Sequence, residues 1–155
     1  MFEEFFDLTA TPFTNSIPSD KLYMSPIMHE TLGRLKFAVS HRMFAVVTAD
    51  VGCGKSTTIR KFTDDLDRKN YEVLYIANSK LSPSWFYKGM LKQLGAEPKF
   101  YRDAASRQLH RELEIIRGVH HRDVVCIVDE AHLLSKETFE EIRFLLNSKM
   151  DSENP

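Results

Sequence analysis

The sequence contains no run approaching the roughly 20 apolar residues of a transmembrane helix, and its start, MFEEFFDL, lacks the basic and apolar regions of a signal peptide. Six glycines and six prolines among 155 residues are too few for a low-complexity or disordered chain. Two cysteines are too few for a disulfide scaffold and favour a reducing cytoplasm. The formal net charge of −1 gives no signature of nucleic-acid binding, although it is compatible with a local basic patch. These absences leave one globular domain of ordinary size.

Short apolar runs alternate with helical patterns along the chain. The runs at 43–48, 72–77 and 123–128 lack polar alternation, which is typical of strands covered on both faces. Ser-Pro pairs at 25–26 and 82–83 predict helix starts, because serine caps a helix and proline suits its first position. This alternation predicts an α/β fold with a parallel sheet and helices on both faces. The predicted helices lie at about 26–41, 55–67, 82–94, 103–118 and from 135 onward.

A glycine-containing loop, ADVGCGKS, connects the first predicted strand to the next helix. Gly54, Lys55 and Ser56 match a phosphate-binding loop, although Ala49 replaces its usual first glycine. Glycine lets a loop turn backbone N–H groups toward phosphates, and the helix presents its positive N-terminal end. We expect Lys55 to reach the β- and γ-phosphates and Ser56 to bind Mg²⁺. A chance Gly-Lys-Ser in a turn is the alternative, which the flanking strand and helix disfavour. The other expected nucleotide contacts are Asp50, Val51, Gly52, Cys53 and Thr57.

The third apolar run ends in two carboxylates, Asp129 and Glu130. Ligands gather at the carboxyl ends of parallel strands, so the pair is expected at the sheet edge that also carries the phosphate loop. Asp129 is predicted to hold the hydration shell of Mg²⁺, and Glu130 to polarise a water for attack on the γ-phosphate. Asn78, just past the second run, either hydrogen-bonds Glu130 or simply ends its strand. His132 is interpreted as a structural residue, with a role in coupling as the alternative.

The segments FEEFFDLTATPF, Tyr23-Met24-Ser25, AVVTADVGCGKST, VDEAHLL and RFLLN occur in this order. The chain thereby resembles the AAA+ ATPases of the ExeA type, which include the ATPase of the general secretion pathway and ATP-dependent helpers encoded with insertion sequences. The resemblance implies ATP rather than GTP, and a homo-oligomer in which a neighbour completes the site. It also implies that the N-terminal segment, residues 1–24, helps to enclose the nucleotide, with Tyr23 near the adenine. Residues 25–155 would then form part of an AAA+ nucleotide-binding domain.

The AAA+ core implied by this resemblance has five parallel strands in the order 5-1-4-3-2, whereas this sequence predicts three. The fourth strand, which lies between the first and third and carries the sensor residue, would follow Pro155. The arginine finger and the helical lid would follow later, and Asn147 is not the sensor because it lies in the last predicted helix. The sheet is therefore expected to be truncated before its fourth core strand, and to be exposed, rearranged or covered by self-association.

The sequence thus predicts a Mg²⁺-dependent ATPase that remodels a protein partner, either a secretion complex or a transposase complex. One alternative is a catalytically inert nucleotide-binding or interaction fragment. Another is a P-loop kinase of a small molecule, which the paired Asp129 and Glu130 disfavour because they suit water as the acceptor. The predicted location is the cytoplasm, with a peripheral position at the inner membrane left open, and DNA is a partner only in the transposition hypothesis.

Overall fold

The structure is a computed structural model that describes residues 2–9, 11, 14, 17–77 and 82–147. The chain divides into two compact units, residues 1–66 and 67–155. The first unit contains helices α1 (Phe2–Phe5), α2 (Pro26–Ser40) and α3 (Lys55–Asp65), with a 3₁₀ turn at Ser19–Lys21. The second unit contains, in order, β1 (Tyr71–Ile76), α4 (Pro83–Gln93), α5 (Arg102–Gly118), β2 (Asp123–Val128), a 3₁₀ turn at Ala131–Leu133 and α6 (Lys136–Asn147).

In the first unit, α2 and α3 contact each other. Helix α2 begins at Pro26, and the Ser25 hydroxyl accepts a hydrogen bond from the backbone N–H of Met28 at 3.2 Å. This bond satisfies one of the N–H groups that a helix start leaves without an intrahelical partner. Leu32 and Leu35 of α2 and Phe62 of α3 are buried, at helical spacing within α2. The unit therefore rests on a small apolar contact between α2, which is capped by Ser25, and α3.

The Ser25 cap gives a testable stability effect. Ser25→Ala is expected to lower the free energy of unfolding by about 1 kcal/mol, because alanine cannot accept the Met28 N–H bond. Ser82→Ala is the matched control, since Ser82 occupies the same position before α4 and makes no side-chain cap bond; its expected cost is about 0.5 kcal/mol or less. Urea unfolding of both variants measures the difference, and equal losses would contradict a role for the Ser25 hydroxyl.

The strand predicted at 43–48 is wrong, because residues 43–48 carry no strand in the structure. Their predicted burial on both faces is also wrong, since Met43, Phe44 and Val46 are between 55% and 69% exposed. A strand exists only where its backbone groups pair with those of a neighbouring strand, and the sheet in the described part of the chain consists of Tyr71–Ile76 and Asp123–Val128 without this run. The Met43 N–H instead donates to the Ala38 carbonyl oxygen of α2 at 2.7 Å. Residues 45–48 instead line one side of a cleft of about 260 Å³, with α2 on the other side.

In the second unit, β1 and β2 pair in parallel, from Tyr71 opposite Asp123 to Ile76 opposite Val128. The connection runs through α4 and α5, as parallel strands require a crossover. The strands predicted at 72–77 and 123–128 and the α/β class are therefore confirmed, with a one-residue shift of the first. The buried core consists of Leu74, Ile76, Phe86, Tyr87, Met90, Leu91, Ala105 and Leu109.

A polar link holds α6 against this core. The buried Tyr87 hydroxyl of α4 donates a hydrogen bond to the Glu141 carboxylate of α6. Burial, reinforced by this carboxylate, raises the pKa of Tyr87 to about 12, so its hydroxyl stays protonated and able to donate. Arg102, at the start of α5, pairs with Glu137 of α6 at 2.9 Å. The helix that follows the acidic pair is thus tied to both α4 and α5.

Candidate functional site

The phosphate-loop candidate lies in the first unit, directly before α3. The Cys53 N–H donates to the Asp50 carbonyl oxygen at 3.3 Å, which closes a turn. Gly52 and Gly54 have φ angles of +83° and +76°, in the left-handed region that L side chains rarely adopt. A Cβ at either position would meet no atom within 4 Å, so the dihedral angle and not the available space requires glycine there. Glycine therefore provides left-handed backbone angles at two positions of this loop.

Lys55 is the first residue of α3, and its side chain folds toward the loop. The Lys55 Nζ donates to the carbonyl oxygens of Ala49 at 2.7 Å and Asp50 at 2.9 Å. Gly54 precedes the helix and offers no side-chain cap, so the first-turn N–H groups have no such acceptor. The positive helix end and the lysine charge lie at the same loop, which is an arrangement suited to an anion.

The remaining candidates lie in the loop before α3 or in the first turn of that helix. Ser56 and Cys53 are exposed, Thr57 is half-buried, and Val51 is fully exposed at 100%. The Ser56 hydroxyl is accessible to a ligand. The Val51 side chain is surrounded by solvent, so we expect Val51 to contact a nucleotide only through its backbone groups. Tyr23 lies in the same unit and is 85% exposed.

The acidic candidates lie in the second unit, at the carboxyl end of β2. The Asp129 Oδ1 accepts the backbone N–H of Glu130 at 2.9 Å, and its Oδ2 accepts the Tyr75 hydroxyl at 2.5 Å. Glu130 adopts a left-handed φ of +50°, which is uncommon for a residue with a side chain. The His132 Nδ1 lies 3.3 Å from the Glu130 Oε2. The two carboxylates thus have different environments, Asp129 half-buried and hydrogen-bonded, Glu130 exposed beside an imidazole.

Tyr75 is a contact of the site that the sequence did not reveal. Its hydrogen bond to Asp129, its partial burial and the nearby charges of Asp129 and Glu130 raise the pKa of Tyr75 to about 12. The phenol therefore remains protonated at neutral pH and acts as a donor to the carboxylate. Its only signal in the sequence is a hydroxyl near the carboxyl end of an apolar run.

Gln93, at the end of α4, holds the backbone of Tyr75. The Gln93 Oε1 accepts the Tyr75 N–H and its Nε2 donates to the Tyr75 carbonyl oxygen, both at 2.8 Å. The side-chain amide thereby imitates the pairing of a neighbouring strand. The sequence gives no sign of this role, since a glutamine near a helix end is ordinary.

Asn78, which the sequence predicts either to hydrogen-bond Glu130 or to end its strand, lies outside the described residues. Asp129 and Glu130 lie together with Tyr75 in the second unit, while the phosphate-loop candidates lie in the first. The observed partner of Glu130 is His132, which was predicted as structural or coupling. That contact makes His132 a neighbour of the acidic pair without deciding between these two roles.

Comparison with known proteins gives the family of the chain. A family model described as an AAA domain matches residues 38–154. The General secretion pathway protein A of Aeromonas hydrophila is 28% identical over 158 residues, covering 97% of this chain and 28% of that protein. The chain thus spans little more than a quarter of that relative, and no solved structure matches it. No helix in the described part of the chain is long and apolar enough to cross a membrane. The chain belongs to the AAA domain family, and its similarity to the Aeromonas protein agrees with the resemblance to ExeA-type ATPases that its motifs carry.

Proposed function

We propose that this chain binds ATP with Mg²⁺ and hydrolyses it, as an AAA ATPase that drives changes in a partner complex. The observation that carries the proposal is the loop before α3. It combines two left-handed glycines, an uncapped helix start and a lysine whose ammonium group lies at the loop carbonyls. Left-handed glycines let a loop turn its backbone N–H groups toward a triphosphate, and the lysine and the helix start supply positive charge. Membership of the AAA domain family supports the same assignment.

The residues present suit a magnesium nucleotide. The proposed Mg²⁺ ligands are the Ser56 hydroxyl and the Asp129 carboxylate, the second of them through water; both are oxygen donors, which this hard cation prefers. Bound Mg²⁺ neutralises charge on the phosphates. Lys55 is proposed to contact the phosphates and Glu130 to orient and polarise the attacking water. The exposure of the Glu130 carboxylate supports this role, because a general base must reach a water.

The resemblance to ExeA-type ATPases leads to three further proposals. The N-terminal segment, with Tyr23, contributes to the nucleotide pocket. A fourth core strand pairs with the run 43–48, which is not part of the two-stranded sheet in the described residues. The active form is a homo-oligomer that acts in the cytoplasm, where a peripheral position at the inner membrane is included in the proposal. The name of the Aeromonas relative favours a secretion complex over a transposase complex as the partner.

A second candidate function is nucleotide binding without turnover by this chain alone. The observation that favours it is that the run 43–48, which leads directly into the phosphate loop, forms no strand in the described part of the chain. A loop that does not follow a sheet strand can still bind anions, but it is less firmly held for chemistry, which demands positions accurate to about 0.5 Å. Phosphate release by the purified chain distinguishes the two candidates.

Glu130→Gln provides the test of the hydrolytic proposal. Glutamine keeps the shape but cannot accept a proton, so we expect ATP affinity to persist while turnover falls by about 10²- to 10⁴-fold. The measurements are equilibrium binding of a fluorescent ATP analogue and steady-state phosphate release.

Glu140→Gln, an exposed position on α6, is the matched control and should retain turnover. Wild-type turnover in Glu130→Gln would contradict the assigned base. Nucleotide binding by the unaltered chain with no phosphate release would favour the second candidate.

A further inference from the structure

The Asp129 carboxylate is held on both of its oxygens. Its Oδ1 accepts the N–H of Glu130 from the chain itself, and its Oδ2 accepts the Tyr75 hydroxyl from the neighbouring strand. The terminal torsion of aspartate is broad, so a single hydrogen bond leaves the carboxylate plane free to rotate. Two bonds from different directions fix that plane. A carboxylate offers about four lone-pair directions, so fixing its plane also fixes the directions in which it can accept from a ligand.

Tyr75 is itself held in place by α4. The Gln93 amide bonds both the N–H and the carbonyl oxygen of Tyr75, as a paired strand would. Helix α4 is anchored in the core by Phe86 and Leu91, which are at most 1% exposed. A continuous set of contacts therefore runs from the packed helix through the Tyr75 backbone and hydroxyl to the carboxylate.

We propose that Tyr75, held by Gln93, is a positioning residue that orients Asp129 for Mg²⁺. This inference rests on the proposed function, because it concerns the metal that accompanies ATP. A hydrogen-bond partner of a metal-binding carboxylate sets the orientation of that carboxylate, and removing such a partner typically costs about 10- to 100-fold in metal affinity. Tyr75 acts through Asp129, and it contacts neither the nucleotide nor the reacting water.

Tyr75→Phe tests the hydroxyl with little change in volume. The experiment is a magnesium titration at a fixed concentration of a fluorescent ATP analogue. In Tyr75→Phe, we expect the MgCl₂ concentration for half-maximal enhancement of nucleotide affinity to rise by about tenfold or more. Affinity measured in EDTA should equal that of the unaltered chain. Phosphate release, where present, should show the same Mg²⁺ shift and recover at saturating MgCl₂. Tyr71→Phe, at the opposite end of the same strand, is the matched control and should leave the Mg²⁺ curve unchanged.

Gln93→Leu tests the support of Tyr75, because leucine has a similar size and makes neither amide bond. The expected Mg²⁺ shift has the same direction and is smaller. In the double variant Gln93→Leu with Tyr75→Phe, the Mg²⁺ shift should be smaller than the sum of the two single shifts, since both changes act on the same contacts. An unshifted Mg²⁺ curve for Gln93→Leu would overturn the link through Gln93.

The outcomes separate this inference from the proposed function. If the chain binds nucleotide with a Mg²⁺-dependent affinity and Tyr75→Phe leaves that dependence unaltered, the positioning role is overturned and the proposed ATP site stands. A lower urea midpoint in Tyr75→Phe with no Mg²⁺ shift shows a structural role only and also overturns it. An unaltered chain that fails to bind nucleotide overturns both proposals.

Discussion

Replacing Lys55 with alanine is expected to weaken ATP binding by about 10- to 100-fold. The Lys55 ammonium lies at the phosphate loop, within 2.9 Å of two of its carbonyl oxygens. A hydrogen bond between charged groups contributes about 1.5–3 kcal/mol, and each 1.4 kcal/mol is tenfold in a dissociation constant. The lysine also ties the Ala49 and Asp50 carbonyls to α3, so its removal loosens the loop in addition to removing charge. Equilibrium titration with a fluorescent ATP analogue measures the loss.

Lys61→Ala is the control for the Lys55 experiment. Lys61 lies on the same helix and pairs with Asp65 at 2.8 Å, away from the loop. Its removal takes the same charge from α3 and should change ATP affinity by no more than about twofold, since such pairs contribute little. A folded Lys55→Ala variant that binds ATP as tightly as the unaltered chain would show that this loop is not the phosphate site.

Phe86→Ala is expected to produce the largest loss of stability. Phe86 is 1% exposed and belongs to the core of the second unit, where it packs with Leu74 and Leu91 among others. Removing a buried phenyl ring forfeits its burial and leaves a cavity, at a cost of about 3–5 kcal/mol. That cost is comparable to much of the stability of an ordinary domain. The unfolding free energy from urea titration, followed by circular dichroism, measures it.

Phe100→Ala is the matched comparison, because its ring is 79% exposed in the loop before α5. Its expected cost is about 1 kcal/mol or less, since exposed side chains outside special features contribute little. Similar losses of unfolding free energy for Phe86→Ala and Phe100→Ala would contradict the assignment of Phe86 to the core.

The helices and the paired strands could be predicted because their signals are local. The Ser-Pro pairs at 25–26 and 82–83 mark the starts of α2 and α4 within one residue. The apolar run 123–128 coincides with β2. The phosphate-loop candidate could be found for the same reason, since its glycines and Lys55 are contiguous. Capping, fixed proline dihedrals and glycine freedom all act within a few residues of the chain.

The features that could not be predicted depend on distant contacts. An apolar run such as 43–48 indicates that a segment favours burial, but it does not identify the neighbour that supplies the hydrogen bonds. The bond from Tyr75 to Asp129 joins residues 54 positions apart, and the bonds from Gln93 to Tyr75 join residues 18 positions apart. Tyrosine in a strand and glutamine in a helix are both ordinary, so neither residue type marks its partner. The roles of Lys55, Ser56, Asp129 and Glu130 stay predictions.

The Gln93 amide also affects how the chain meets other chains. The edge of β1 away from β2 presents the backbone groups of Tyr71, Val73 and Tyr75, because alternate residues of a strand face opposite neighbours. Gln93 occupies both groups of Tyr75, and the Arg122 guanidinium donates to the Tyr71 carbonyl oxygen at 3.1 Å. An incoming strand from another molecule would find these positions taken, with Val73 alone between them. This edge is therefore a poor template for the intermolecular strand pairing that leads to aggregation.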